Sequence, residues 1–307
     1  MSALRQTAGD YLAMRRSLGY KLERQGPMLM DFISYLEKAG AATVSVEAAL
    51  AWAVLPSGAP VWHKHRLSVA RGFAAYLKTV DAACQVPPRR LLAGPAERVT
   101  PYLYSQEEIA ALVHAAGTLG RPLQAATYQA LISLLAVTGL RAGEAIRLAR
   151  AHVDLDAALI TVVNTKFGKT RLVPLHPDTT GMLCHYATRR DELCPVPGTD
   201  AFFLSSTGRP LLISSIDSTF ARLLGMAGIA VPPGHARPRV HDLRHSMAVS
   251  ALLEWYRTGA DVSARMPALS TWLGHADPAS TFWYLHASPE LLALAAGMLQ
   301  DSQENKR

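Results

Sequence analysis

Over about the first ninety residues the apolar positions recur at three- and four-residue intervals: Leu4, Tyr11, Leu12, Met14 and Leu18, then Met28, Phe32, Tyr35 and Leu36. That period belongs to amphipathic helices, and Gly19 and Gly40 stand where two of them stop. A third helix is expected over residues 46–54, closed by Pro56-Ser57-Gly58, and a fourth over residues 61–80. The fourth carries His63, Lys64, His65, Arg66 and Arg71, which gives it a polar, basic face. Helix breakers and charge then concentrate from Pro87-Pro88-Arg89-Arg90 to Gly94-Pro95, the composition of an interdomain connection, and place a boundary near residue 95.

Ser105, followed by Glu107 and Glu108, reads as an N-cap with acids in the first turn of a helix running into residues 109–116. Residues 131–137 form a buried helical run that breaks at Thr138-Gly139, and helical spacing resumes over 141–148, so Arg141 opens a helix. Residues 159–163 and 171–175 are β-rich and flank a connection bearing Lys166, Gly168 and Lys169, the pattern of a hairpin or small sheet. Further helices are expected near 216–227, 242–256 and 288–299, with a polar, frayed end at 301–307. The fold class is therefore mainly α with a small β-sheet or hairpin: an N-terminal helical domain, residues 1–95, and a mixed, mostly helical domain, residues 96–307.

Length and charge sharpen this division. At 307 residues the chain can bury two cores. Its net charge of +7 is unevenly shared: residues 1–95 hold 12 Lys+Arg against 6 Asp+Glu, and residues 96–307 hold 19 against 18. A basic surface favours a polyanion through counterion release, but an acidic protein or a membrane surface would be served as well, so charge alone does not choose among them. Three cysteines without close pair spacing argue against a disulfide framework and a structural zinc site, and make a reducing cytoplasm the expected compartment. The N-terminus has no long apolar stretch of the signal-peptide kind, and no apolar run reaches the roughly 20 residues that span a bilayer, so neither export nor membrane anchoring is expected.

Four separated motifs carry the chemistry. They are Thr138-Gly139-Leu140-Arg141-Ala142-Gly143-Glu144, then Asn164-Thr165-Lys166-Phe167-Gly168-Lys169, then His241-Asp242-Leu243-Arg244-His245, and finally the run from Leu273-Gly274-His275 to Phe282-Trp283-Tyr284. A phenol can attack a phosphodiester, and the cationic and imidazole groups around these positions can assist it, so the set points to DNA strand transfer. In order and content the motifs resemble those of the tyrosine recombinase/integrase family, over roughly residues 101–288. The resemblance implies an active site of Arg141, Lys166, His241, Arg244, His275 and Tyr284, and a fold of a core-site-binding helical domain followed by a catalytic domain. Lys166 and Lys169 compete for one role; matching Arg171-Leu172-Val173-Pro174-Leu175 to the family's strand ending favours Lys166, although Phe167 stands where a glycine is more usual.

Attack on phosphorus builds negative charge on the non-bridging oxygens, which forked, permanently charged guanidiniums stabilise. Arg141 and Arg244 suit that clamp, with His275 as a third donor. Tyr284 is the expected nucleophile, His241 the better candidate for its base, and Lys166 the acid for the leaving 5′ oxygen. The resemblance adds the polarity, a 3′-phosphotyrosine intermediate formed with neither metal nor other cofactor. Each residue also has a plainer reading: Glu144 as an orienting partner or surface acid, His245 as a packed or capping histidine, and the aromatics around Tyr284 as core. The spacing of His241 and His245 superficially matches a zinc-binding helix, but Asp242 replaces the expected glutamate and Arg244 would repel a cation.

The implied partners are double-stranded DNA with specific core sites, contacted through Lys64, Arg66, Arg71 and Lys169, and further copies of the chain in a tetramer on synapsed DNA, with sister recombinases as an option. A recombinase borne by a mobile element is favoured over Xer-type chromosome resolution. Other readings are a DNA-binding accessory protein of the same fold without turnover, and a type IB topoisomerase-like enzyme.

Overall fold

The computed structural model describes residues 2–92, 101–163, 170–231, 237–275, 277, 279–286 and 290–294. The chain divides into two compact units, Met1–Arg98 and Val99–Arg307.

Among its described residues the first unit is built from four helices: α1 (Ala3–Ser17), α2 (Gln25–Lys38), α3 (Val46–Val54) and α4 (Pro60–Leu77). Ser2 and Ser45 start α1 and α3 by accepting from the backbone N–H groups of Arg5 and Ala48, which satisfies donors that a helix start leaves unpaired. Pro60 begins α4, where its missing N–H costs nothing. Their apolar stripes meet in a core that includes Leu12, Phe32, Ile33, Trp52, Leu67 and Phe73. Each such side chain contributes about 1.5–3 kcal/mol by leaving water.

The second unit is mostly helical around a small antiparallel sheet. Ser105 and Glu108 form a reciprocal capping box at the start of α5 (Gln106–Gly117). There follow α6 (Pro122–Thr138), the single-turn α7 (Ala142–Ala145), β1 (Val153–Asp154), β2 (Leu159–Val162), β3 (Arg171–Pro174), α8 (Pro177–Leu193), α9 (Ile213–Met226), α10 (Asp242–Arg257), α11 (Val262–Leu273) and α12 (Ala279–Phe282). The last runs into the 3-10 turn Trp283–His286, and residues 290–294 are helical. The sheet order is β1-β2-β3, and Val162 pairs with Arg171 and Ile160 with Val173. Period-two alternation turns Ile160, Val162 and Val173 into the core. The helical spacing read over residues 141–148 is realised only as α7, after which the chain turns towards the sheet.

Among the described residues this unit has two main cores and a small third cluster of Leu123, Ala201 and Leu204. A large one joins α5, α6, α8, α9 and the sheet, and a smaller one gathers Val249 and Leu252 of α10, Met266, Leu269 and Leu273 of α11, Tyr284 and Leu291. The helix ends nearest the second core close on left-handed glycines, Gly139 at φ 63° after α6 and Gly274 at φ 66° after α11. A Cβ on Gly139 would come within 2.4 Å of the Met247 Cε and 3.1 Å of a Leu273 methyl. Because the Met247 tip can move, the left-handed backbone is the larger cost, and Gly139→Ala is expected to destabilise the unit by about 1–2 kcal/mol. A urea unfolding series with unchanged slope and a lower midpoint is the measurement that checks it.

Candidate active site

Helix C-termini leave carbonyls without partners and carry partial negative charge. The ends of α6 and α11 converge, and cationic and indole donors meet them. Arg244, in the first turn of α10, donates from Nη1 to the Gly139 carbonyl and from Nη2 to the Leu273 carbonyl, each at 2.7 Å. It is only 2% exposed. Burial, and then the charge of Arg141, pull its pKa down to about 10, so it remains a cation at neutral pH. Trp272 Nε1 donates to the Thr138 carbonyl at 2.8 Å, and the Trp272 carbonyl accepts from Arg171 Nε at 3.0 Å.

Arg141 occupies the N-cap of α7, and Glu144 three residues later binds it twice. Glu144 Oε1 accepts from Arg141 Nη1 at 2.8 Å and Oε2 from the Arg141 backbone N–H at 3.0 Å. Arg171, at the start of β3, donates to the same two oxygens, Nη1 to Oε1 at 3.2 Å and Nη2 to Oε2 at 2.8 Å. The carboxylate is thus buried under four donors while the Arg141 side chain stays 38% exposed. Burial by itself would raise the Glu144 pKa; the hydrogen bonds from Arg171 and the Arg141 backbone, with both charges, outweigh it and hold the carboxyl at about 2. Gly274 is pressed against Arg171, whose Nη1 lies 2.7 Å from where a Cβ would stand.

Tyr284 is 2% exposed and lies beside His245, His275 and Arg244. Its hydroxyl is 3.2 Å from His245 Nδ1, and its ring stacks with that of His275 at a centroid distance of 6.1 Å. His275 Nδ1 is in turn bonded to the Thr281 hydroxyl at 2.6 Å. The His241 ring stands edge-on to His245, 4.9 Å between centroids. Burial raises the phenol's pKa, and the charges of Arg244 and Arg141 act against it. The histidines move the other way: burial first, then neighbouring positive charge, lowers the pKa of His241 and takes His245 and His275 to about 4. Neutral imidazoles around a phenol and two guanidiniums make a pocket whose uncompensated charge is positive, which suits an entering phosphate.

Comparison with known proteins agrees with this geometry. A family model described as the phage integrase family matches residues 103–290, which span every motif of the site. The chain belongs to the phage integrase family of tyrosine-type site-specific DNA recombinases. This recombinase is 41% identical over 315 aligned residues to the integrase/recombinase y4rB of Sinorhizobium fredii, with both chains fully covered. It is 29% identical to the tyrosine recombinase XerD of Caulobacter vibrioides over 76% of this chain and 73% of that one. Among solved structures, the Tn1549 transposon integrase in complex with circular intermediate DNA shares its fold, with a TM-score of 0.65 at 17% identity over 95% of this chain and 99% of that one.

The recombinase brings Arg141, Arg244, His275 and Tyr284 into one region, with His241 at its edge. Lys166 and Lys169 lie outside the described residues. The imidazole on the phenol is His245, which sequence reasoning set aside as packing, rather than His241; its only signal is a place directly after Arg244 and one turn beyond His241. Arg171 was missed as well, although it shares inward parity with Val173 on β3, an unusual place for an arginine unless a buried acid awaits it.

In the first unit, Lys64 is half-buried on α4. Arg66 corrects an expectation: it is buried, stacks its guanidinium 3.8 Å from the Trp52 ring centroid and donates to the Trp52 carbonyl at 3.0 Å, so its charge is committed to the core and not presented to DNA. Arg71 braces the segment after α4, donating to the carbonyls of Pro87 and Pro88 at 2.7 and 2.6 Å. Among the described residues no helix is long and apolar enough to cross a membrane.

The Glu144 carboxyl has a folded-state pKa depressed from 4.5 to about 2. Its stabilisation is therefore complete above pH 4.5 and is lost as pH falls towards 2, a contribution of about 3 kcal/mol. Glu144→Gln is expected to be less stable than the wild type at pH 7 and to lack this part of the acid sensitivity, so the two urea midpoints should approach each other as pH falls from 5 to 2.

Proposed function

We propose that this recombinase cleaves and rejoins duplex DNA at specific core sites through a 3′-phosphotyrosine link to Tyr284. The observation that carries the reading is the position of the phenol, whose hydroxyl lies beside Arg244 and His245 and whose ring stacks on His275. Arg244 and Arg141 stabilise charge on the non-bridging oxygens, and His275 is a further donor. Arg141 is held for this by Glu144 while its side chain stays partly exposed. Lys166 supplies the proton to the leaving 5′ oxygen, and His241 is a solvent-facing proton partner at the edge of the site. The phosphotyrosine link keeps the energy of the phosphodiester, so a 5′ hydroxyl from a second duplex reverses the step without nucleotide triphosphate.

The first unit supplies core-site binding, with Lys64 and Arg71 on α4 as phosphate contacts, and Lys169 adds another in the catalytic unit. Two recombining duplexes with two sites each require four copies of the chain. A mobile-element role is the reading favoured over chromosome resolution, and the fold shared with a transposon integrase supports it.

A covalent trap tests the reading. Wild type and Tyr284→Phe are incubated with nicked host genomic fragments, denatured, and the protein-linked DNA is recovered and sequenced. Adducts are expected with wild type only, together with undiminished DNA binding by Tyr284→Phe; binding without adducts by both proteins would favour an accessory DNA-binding protein of the same fold. Arg244→Lys replaces a fork with a point charge and is expected to lose about 100-fold or more in adduct formation. A near-normal rate would remove Arg244 from the clamp.

A further inference from the structure

We propose that His245 is a catalytic residue of this recombinase, the acceptor through Nδ1 of the Tyr284 hydroxyl proton when the phenol attacks DNA. The inference rests on Tyr284 being the nucleophile and adds the route its proton takes. Among the described residues, His245 is the imidazole within hydrogen-bond distance of that hydroxyl, at 3.2 Å. The Arg244 cation also interacts with the Tyr284 hydroxyl. A guanidinium has donors only, so the phenol oxygen accepts from Arg244 and its proton can be directed to His245. The transfer requires Nδ1 to be unprotonated, with the hydrogen of the neutral ring on Nε2.

His245 is held in place to do this. It is fixed on the first turns of α10 beside Arg244, whose two carbonyl bonds anchor that end of the helix, and it is flanked edge-on by the rings of Trp283 and His241. The titratable and charged groups around it are His241, Asp242, Arg239 and Arg244 from α10 and the turn before it, and Tyr284 with the more distant His275 from the segment packed against it. The step balances as follows. The Tyr284 O–H bond breaks and its proton moves to His245 Nδ1; the phenol oxygen bonds to phosphorus; the bond from phosphorus to the 5′ oxygen breaks, and that oxygen takes a proton from Lys166. Rejoining reverses each transfer. The imidazolium is formed next to the incoming phosphate, whose negative charge offsets that of Arg244, and its edge-on neighbour His241, open to solvent, is placed to pass the proton outward.

Two measurements test this, one of them without DNA. In the free protein at pH 7, a long-range 1H–15N spectrum should show His245 neutral with hydrogen on Nε2, and Tyr284→Phe should shift its Nδ1 resonance; hydrogen on Nδ1 would overturn the proposal. The second uses single-turnover adduct formation on a nicked duplex bearing the sequence recovered with wild type. His245→Asn keeps a hydrogen-bond acceptor near the Nδ1 position but cannot take up a proton, so it should fall by about 100-fold, as should His245→Gln and His245→Phe, with DNA affinity unchanged. Between pH 7 and 9 the rate of His245→Phe should climb about tenfold per pH unit, as spontaneous phenolate replaces the lost acceptor, while wild type changes far less. A near-wild-type rate for His245→Asn, which would leave only a hydrogen-bonding role, a loss in His245→Phe with the pH profile of wild type, or a faster His245→Phe, which would mark the contact as a restraint, would each overturn the proposal. Wild type failing to form adducts, or Tyr284→Phe still forming them, would instead sink the reading of Tyr284 on which it rests.

Discussion

A permanent charge enclosed by protein is stable only where dipoles are already aimed at it, and in the catalytic unit those dipoles are the ends of two helices. Arg244 takes one carbonyl from the close of α6 and one from the close of α11. Because the helices end on left-handed glycines, the chain turns away sharply enough for the carbonyls to point inward. The motif around Arg141 begins immediately after one of these ends and that around His275 immediately after the other. The bond that stabilises the buried cation is thus also the one that sets the distance between the motifs, and the guanidinium acts as structural pin and chemical group together.

The electrostatics follow from that arrangement. Glu144 is the acid placed against the arginines, and it is saturated: Arg141 and Arg171 both bind it, and neither oxygen is left to neutralise Arg244. Burial first, and the remaining positive potential after it, keep His245 and His275 neutral, which preserves them as acceptors or directional donors. A carboxylate opposite Arg244 would have made the unit easier to fold and useless for binding a phosphate. Function here occupies the place where a stabilising counterion would otherwise stand.

Much of this was legible in the sequence, for identifiable reasons. Helices α3 and α4 were readable because Pro56-Ser57-Gly58 separates two stretches of helical pattern; the β2 and β3 pairing was readable from β-rich runs on either side of a glycine-bearing connection. Arg141, Arg244, His275 and Tyr284 stood out because motif order links them. What stayed hidden was partner choice. Nothing local says that Arg66, on a basic helix face, turns inward to Trp52, because its position depends on where α3 packs. His245 looked like a packing residue because its ligand lies 39 positions away, on a turn that only the folded chain brings near. Arg171 was hidden for the same reason, since both of its partners arrive through tertiary structure.

The pairing of Val162 with Arg171 has a consequence for how this protein can vary. The strands alternate inward and outward, so Arg171 reaches Glu144 only in one register. A single residue added within β3 would move Arg171 to the opposite face and put Leu172, now open to water, in its stead. Residues added between the two strands would leave that register untouched. The register thus constrains length inside β3 and not before it, and Arg171 is the residue that such a change would displace.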